Sequence, residues 1–129
     1  MAMTTKVGTA DAVWVEAGAL KVAACLFHGF SDPSRLTILA HLSLGEHRVV
    51  DLTAHLGLAQ STVSKHLACL RDCGLVTSRA EGRASVFSLT HPEALMRLLG
   101  AAEQLLDLTG DAVALCGNYG TSALPGATS

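Results

Sequence analysis

The chain has 129 residues and a formal net charge of −2; half of its residues are hydrophobic and 16% are charged. This length fits one domain, and the apolar content excludes intrinsic disorder over most of the chain. No apolar run approaches the roughly 18 residues that span a bilayer, and residues 1–10 lack the basic flank and apolar core of a secretory signal. We therefore expect a cytoplasmic protein without membrane contact, with a flexible N-terminus (1–10), one domain (11–116) and a flexible tail (117–129).

The apolar spacing predicts helices through the first part of the chain. They cover residues 11–30 (one long or two short helices), 33–44, 49–57 and 59–73. Pro33 suits the first turn of its helix, where its missing N–H costs nothing. Gly57 suits a left-handed C-cap, and Gly74 ends the helix that begins near Ala59.

After Gly74 the pattern changes to that of strands. Residues 75–79 and 84–89 predict a hairpin around Glu81-Gly82-Arg83, and Thr90 to Glu93 matches a capping box that starts a last helix. That helix is apolar over nearly its whole circumference, so a second subunit is expected to cover it, unless it lies at the centre of the core. The predicted fold is mainly α with a small β-hairpin: a winged helix-turn-helix, homodimeric through its terminal helices.

The helix over residues 61–73 has two opposite faces. At about 100° per residue, Val63, Leu67 and Leu70 form a buried face, opposite small polar residues and one lysine. Such a face suits entry into the major groove, although an ordinary solvated helix shows the same pattern. The basic hairpin that follows favours DNA binding. The predicted DNA contacts are Gln60, Ser61, Thr62, Ser64, Lys65, Arg79 and Arg83.

Four cysteines raise the question of a metal or redox site, because no export signal accompanies them. Cys69 and Cys73 lie four residues apart on one helix face and could bring two sulfurs to one ion. Thiolates select soft or borderline ions such as Cd, Pb, Hg, Cu(I) or Zn. The alternative is a pair of buried, inert cysteines. The histidines look scattered, and His66 fits a hydrogen-bonded structural role better than that of a ligand.

The segments DPSRLTILAHL and VVDLTAHLGLAQSTVSKHLACLRDCGLVTSRAEGR resemble the ArsR/SmtB family of metal-sensing repressors. The C-x-x-x-C in the second segment, with a cysteine near the C-terminus, is similar to the CmtR type of cadmium and lead sensor. The resemblance implies a homodimer that binds operator DNA and releases it when Cd(II) or Pb(II) binds, with Hg(II) or Zn(II) as further ions. It also implies a site of Cys69 and Cys73 from one chain and Cys116 from its partner.

Some alternatives stay open at this point. The same cysteines could make the repressor responsive to thiol oxidation instead of metal, and Cys25, His28 or His66 could add a ligand. Other metal sites of the family are not expected, because residues 48–50 lack a C-x-C and Leu89 stands where an Asp-x-His pair would need the acid. No hydrolase, zincin or phosphate-loop motif occurs, so neither an enzyme nor a small-molecule substrate is expected.

Overall fold

The computed structural model describes residues 17–115, which form helices arranged around a small antiparallel sheet. The helices are α1 (Ala17–Gly29), α2 (Pro33–Leu42), α3 (Val49–Leu56), α4 (Gln60–Asp72) and α5 (Pro92–Leu108). The strands are β1 (His47–Arg48), β2 (Val76–Glu81) and β3 (Ala84–Leu89). The predictions for the flexible N-terminus (1–10) and tail (117–129) lie outside the described residues, as does Cys116.

The ends of α2 and α3 follow directly from local sequence. Asp32 caps α2, since its carboxylate accepts the backbone N–H groups of Ser34 and Arg35 at 2.9 and 3.1 Å, and Pro33 follows in the first turn. Gly57 ends α3 in the left-handed region at φ 68°. Both predicted helix ends are confirmed, so the short turn between α3 and α4 is set by the chain itself.

The sheet has the order β1-β3-β2, and both strand pairs are antiparallel. The hairpin of β2 and β3 is confirmed, whereas β1 was not predicted, because two residues are too short to show an alternating pattern. His47 of β1 pairs with Phe87 of β3. The segment between α2 and α3 is therefore joined to the wing.

One hydrophobic core unites α2, α3, α4, the sheet and the first half of α5. Its most buried members are Ile38, Leu39, Leu52, Val63, Leu67, Leu70, Val76 and Met96. The predicted buried face of α4 (Val63, Leu67, Leu70) is confirmed. Between residues 17 and 115, none of the helices has the length and apolar character that a membrane span requires.

Helix α5 begins within the predicted segment Thr90–Glu93, at Pro92, but its cap differs from the prediction. Thr90 was expected to cap this helix, but its hydroxyl donates instead to the carbonyl oxygen of Gly74 at 2.6 Å. The N-cap is His91, which makes no side-chain cap hydrogen bond. The capping-box prediction is wrong because the carbonyl at the end of α4 takes the threonine hydroxyl. This hydrogen bond links the end of α4 to the start of α5.

Helices α1 and α5 leave apolar surface uncovered in the single chain. Leu95, Met96 and Leu99 of α5 are buried, while Leu105 and Leu108 are 63% and 83% exposed. Helix α1 exposes three further large apolar side chains: Leu20, Val22 and Phe27. The terminal helices therefore carry apolar side chains that the core of the single chain does not bury.

Candidate functional site

Helix α4 presents polar side chains at its N-terminal half. Among the predicted DNA contacts, Gln60, Ser61, Ser64 and Lys65 are exposed and Thr62 is half-buried. The opposite face of the helix is anchored in the core through Val63, Leu67 and Leu70. The core thus holds one face of the helix in place, while short hydrogen-bonding side chains and the cation of Lys65 stay exposed on the other face. Such side chains can contact a DNA groove.

The two predicted wing arginines have different surroundings. Arg83 is exposed in the turn between β2 and β3. Arg79 on β2 donates to both carboxylate oxygens of Glu46, at 2.8 and 3.1 Å, and approaches Glu81 at 3.4 Å. The hydrogen bonds from Arg79 lower the pKa of Glu46, and those carboxylates raise the pKa of Arg79. A DNA phosphate would therefore have to compete with Glu46 for Arg79.

Two cysteine sulfurs meet where α4 ends. Cys73 is the C-cap residue of α4, and its Sγ lies 3.0 Å from Sγ of Cys25 on α1. The Cys73 thiol donates to the carbonyl oxygen of Cys25 at 2.9 Å, which leaves the Cys25 thiol to donate to the Cys73 sulfur. Cys69 lies one turn earlier on α4 and is half-buried. The structure thus adds Cys25, which is exposed, to the predicted pair.

The close approach of α1 to α4 depends on a glycine. Gly29, one turn after Cys25 on α1, is buried, and an added Cβ would lie 3.0 Å from Leu75 Cδ1 and 3.8 Å from Cys73 Sγ. Any larger side chain at this position would push the end of α1 away from the end of α4. The missing side chain therefore helps to hold Cys25 against Cys73.

The surroundings of Cys73 favour its protonated form. Burial first, then the thiol of Cys25, then that of Cys69, raise the pKa of Cys73 to about 12. Each effect disfavours a thiolate, since a charged sulfur is poorly solvated there and repelled by a second one. At neutral pH Cys73 is a thiol, and a metal ion must displace its proton in order to bind.

His66, on α4, contacts residues at the start of α2. Its Nε2 is 3.6 Å from an Asp32 carboxylate oxygen and its Nδ1 is 3.4 Å from a guanidinium nitrogen of Arg35. These contacts favour the structural interpretation of His66. The backbone carbonyl of His28 accepts from Arg35 at 2.8 Å.

Sequence analysis missed a convergence of three histidines. His41, His47 and His55 come together with one ligand atom each within 4.8 Å of the others. Burial, then the neighbouring His55 and His47, lower the pKa of His41. The interpretation of the histidines as scattered is therefore wrong for these three residues. The available signal was the position of His41 and His55, each in the last turn of a predicted helix.

Helix α3, a tight turn, the half-exposed helix α4 and a β-hairpin wing together define a winged helix-turn-helix protein, the architecture of a class of DNA-binding regulators. Residues 32–78 match the family model described as bacterial regulatory protein, arsR family. Because a relative is also 43% identical over more than two thirds of its own length, the chain belongs to the ArsR family.

That relative is the HTH-type transcriptional regulator CmtR of Mycobacterium tuberculosis, matched over 81 residues, 63% of this chain and 68% of CmtR. A probable mercury resistance operon repressor of Streptomyces lividans is 38% identical over 51% of this chain and 53% of its own. A homodimeric winged helix-turn-helix DNA-binding domain of Mycobacterium bovis, solved by NMR, is 26% identical with a TM-score of 0.61, covering 77% of this chain and 94% of that domain. The family description and these names denote regulators and not enzymes.

Proposed function

We propose that the protein is a metal-responsive transcriptional repressor, which binds operator DNA as a homodimer and releases it when a thiophilic ion binds cysteines at the end of α4. The observation that carries the proposal is the position of Cys73 at the end of the helix proposed to read DNA, where a second sulfur, Cys25 Sγ, lies within 3.0 Å. Cys69 lies one turn earlier on that helix. The name of the related mercury resistance operon repressor supports a metal effector, as does the resemblance of the cysteine pattern to the CmtR type.

DNA binding is assigned to α4 and the wing. The exposed polar residues of α4 supply hydrogen bonds to base edges, and Lys65 and Arg83 supply cations for phosphates. Arg79 joins them only when it exchanges Glu46 for a phosphate oxygen. The full proposed set is Gln60, Ser61, Thr62, Ser64, Lys65, Arg79 and Arg83.

Dimerisation is assigned to α1 and α5. Their exposed apolar side chains, with Leu108 at 83% exposure, would leave water on association, which stabilises an interface by about 25 cal/mol for each Å² of apolar surface buried. The homodimeric Mycobacterium bovis domain has the same fold and supports this assignment. Two copies of α4 would then meet half-sites about 34 Å apart.

The effector site is assigned to Cys69 and Cys73 of one subunit with Cys116 of the partner subunit, and Cys25 is a candidate ligand beside Cys73. Three sulfurs without a fourth protein ligand suit Cd(II) or Pb(II), and Hg(II) shares the preference for sulfur; Zn(II) usually takes four ligands. Zn(II), about 2.3 Å from each sulfur in tetrahedral geometry, holds two sulfurs about 3.8 Å apart, and the larger Cd(II) and Pb(II) ions hold them farther apart. Cys25 and Cys73 are near enough to reach that separation by small side-chain rotations.

Release of DNA follows from where the ligands lie. An ion held by cysteines of α4 and by α1 or the partner subunit fixes α4 relative to the dimer interface. The pair of recognition helices then no longer matches both half-sites. Linkage requires that DNA weaken metal binding by the same factor by which metal weakens DNA binding.

The test uses a DNA duplex selected from a randomised pool by the reduced, metal-free protein. Cd(II) is titrated while ultraviolet sulfur-to-metal absorption and fluorescence anisotropy of the labelled duplex are followed. We expect the absorption band and the release of DNA to saturate together. Cys69→Ser, Cys73→Ser and Cys116→Ser should each keep DNA binding and lose release, whereas Cd(II) saturation without release in the wild type would refute the proposal.

A fourth variant, Cys25→Ser, tests whether Cys25 is a ligand. If it is a ligand, Cys25→Ser weakens the sulfur-to-metal band while DNA binding by the metal-free protein persists. A band and a release curve identical to the wild type would remove Cys25 from the site and leave the three proposed sulfurs. Circular dichroism of each variant controls for folding.

A redox-responsive repressor is the second candidate, favoured by the approach of Cys25 to Cys73. With hydrogen peroxide, the two thiols would form one disulfide, and the peroxide would leave as two waters. A bond between Cys69 and Cys73 is less suitable, because cysteines one helical turn apart are poorly oriented for a disulfide. Counting free thiols after mild peroxide treatment, with DNA binding measured in parallel, separates this function from metal sensing.

A further inference from the structure

Three imidazoles meet on the side of the domain where α2 and α3 end. His41 lies in the last turn of α2, His47 on β1 and His55 in the last turn of α3. The rings of His41 and His55 are stacked, with centroids 4.7 Å apart and planes 17° apart. The ring of His47 stands edge-on to both, with centroids 6.1 and 5.9 Å away. One ligand atom of each residue lies within 4.8 Å of those of the other two.

The chain brings these residues together through two features of the fold. Residues 43–46 return the chain from α2 to β1, and the pairing of His47 with Phe87 fixes β1 against β3. Helix α3 starts immediately after β1, and its eight residues bring His55 to the end at which α2 also terminates. The cluster thus uses elements different from α1 and α4, which carry the cysteines.

The tautomer of His47 is set by the backbone. Its Nδ1 lies 2.8 Å from the carbonyl oxygen of Gly45. Because a carbonyl oxygen only accepts, Nδ1 carries the proton, and Nε2 of the neutral ring has a free lone pair. Imidazoles that bind metals are oriented in this way, by donating their second nitrogen to a carbonyl or carboxylate.

The surrounding charge also favours a cation. Both His41 and His55 lie one residue from the end of their helices, where the negative ends of the helix dipoles stabilise positive charge. The nearby side chain of Arg48 is paired with Asp51 at 3.7 Å, and that of Arg79 is held by Glu46. The carboxylates of Asp51 and Glu46 thus offset the charges of Arg48, which follows His47 in the chain, and of Arg79.

We propose that His41, His47 and His55 form a second metal site, for a divalent ion of the zinc type, distinct from the proposed cysteine site. Imidazole ligands suit Zn(II), Cu(II) and Ni(II), whereas Cd(II) and Pb(II) prefer sulfur. A tetrahedral ion about 2.05 Å from each nitrogen places the nitrogens about 3.3 Å apart. Side-chain rotations that move each ligand nitrogen by about 1 Å are therefore enough for all three to bind the ion. Three histidines leave a fourth position for water.

A bound ion would fasten α2, β1 and α3 to one another. Helix α3 is the first helix of the helix-turn-helix, and β1 belongs to the sheet of the wing. The ion would therefore stabilise the part of the domain that carries α4, without contact to the recognition helix itself. Because the ion binds the folded state, the melting temperature should rise with Zn(II) concentration.

The test is a titration of the reduced, full-length protein, without a polyhistidine tag, with Zn(II). Long-range ¹H–¹⁵N NMR follows the imidazole nitrogens of each histidine, so binding at cysteines cannot be mistaken for binding at this site. We expect the ring signals of His41, His47 and His55 to shift together and to saturate with one Zn(II) ion per subunit beyond any that binds at the cysteines. The signals of His28, His66 and His91 should keep their positions.

Two variants complete the test. His55→Gln removes an exposed ligand and should weaken Zn(II) binding at this site at least tenfold, whereas His91→Gln, on the N-cap of α5, should leave it unchanged. Ring signals of the three residues that do not respond to Zn(II) in clear excess, or an unchanged affinity in His55→Gln, would overturn the proposal. Neither result bears on the cysteine site, which is followed by its own absorption band.

Discussion

The guanidinium of Arg79 holds the carboxylate of Glu46 through two hydrogen bonds, at 2.8 and 3.1 Å, and so joins the wing to the segment that leads into β1. Arg79 is one of the cations proposed to meet a DNA phosphate. Glu46 and the phosphate are therefore competitors for the same donor. Both partners are about half exposed, so solvent screens the pair and its contribution to stability is small.

Glu46→Gln should release Arg79 and strengthen DNA binding. Without the negative charge of Glu46, the guanidinium of Arg79 binds a DNA phosphate more readily. We expect the affinity for DNA to rise several-fold at low salt. The salt dependence of log K should become steeper by about one, since one more phosphate is neutralised. Fluorescence anisotropy with the selected duplex over a range of salt concentrations measures both effects. Glu93→Gln on α5 changes the net charge equally and serves as the control; equal effects of both variants would contradict the prediction.

Cd(II) binding should continue to release a proton from Cys73 well above neutral pH. A thiol with the ordinary pKa of about 8.5 is only about one quarter protonated at pH 9, whereas Cys73, with its pKa raised to about 12, stays a thiol there. Affinity should therefore fall on acidification and still be rising with pH at pH 9. Calorimetric titrations in two buffers of different ionisation enthalpy count the protons. A count that drops to zero by pH 9 would show that Cys73 is not a ligand or is already ionised.

Replacing Leu105 and Leu108 together by Glu should dissociate the dimer. Both side chains are largely exposed in the single chain, so their change costs the core little, but charges in the interface of α5 would be buried without partners. We expect a monomer in sedimentation velocity and a loss of DNA affinity of at least tenfold, because one subunit engages only one half-site. Leu44→Glu makes the same change at an exposed residue outside α1 and α5. A double variant that remains dimeric would exclude this part of α5 from the interface.

Gly57→Ala should destabilise the fold, while Gly18→Ala should not. Gly57 has φ 68°, where a Cβ costs about 1–2 kcal/mol. Gly18 lies within α1, and nothing is close to an added Cβ, so alanine there should add about 0.5–1 kcal/mol of helix stability. Urea unfolding followed by circular dichroism compares the two variants with the wild type. Equal stabilities would show that the turn between α3 and α4 relaxes without cost.

Local chemistry made much of the fold predictable. Pro33 and Gly57 define helix ends through interactions within a few residues, and the buried face of α4 follows from its period. The start of α5 within Thr90–Glu93 was predicted, but its cap was not, because the hydroxyl of Thr90 bonds to Gly74, sixteen residues earlier, and such a partner leaves no mark on local spacing.

The candidate sites also divide into features that follow from local sequence and features that depend on long-range packing. The pairing of Cys69 with Cys73 is visible in their spacing, since both lie on one helix. The approach of Cys25 depends on how α1 packs against the end of α4, and the meeting of His41, His47 and His55 depends on three segments at once. A single sequence shows the individual cysteines and histidines, but it does not show which of them long-range packing brings together.

In the proposed mechanism helix α4 acts as a lever, because the proposed DNA contacts and the proposed metal ligand Cys73 lie at its two ends. Its thirteen residues span about 20 Å, with the residues proposed to contact DNA in its first half and Cys73 at its other end. Near Cys73 the helix is linked to α1 through Cys25 and to α5 through the hydrogen bond of Thr90 to Gly74. A rotation of only about 3° about that end moves the far end by about 1 Å, which is enough to misalign hydrogen bonds to bases. In this mechanism, a small rotation of α4 is therefore enough to change the protein from the DNA-binding state to the DNA-released state.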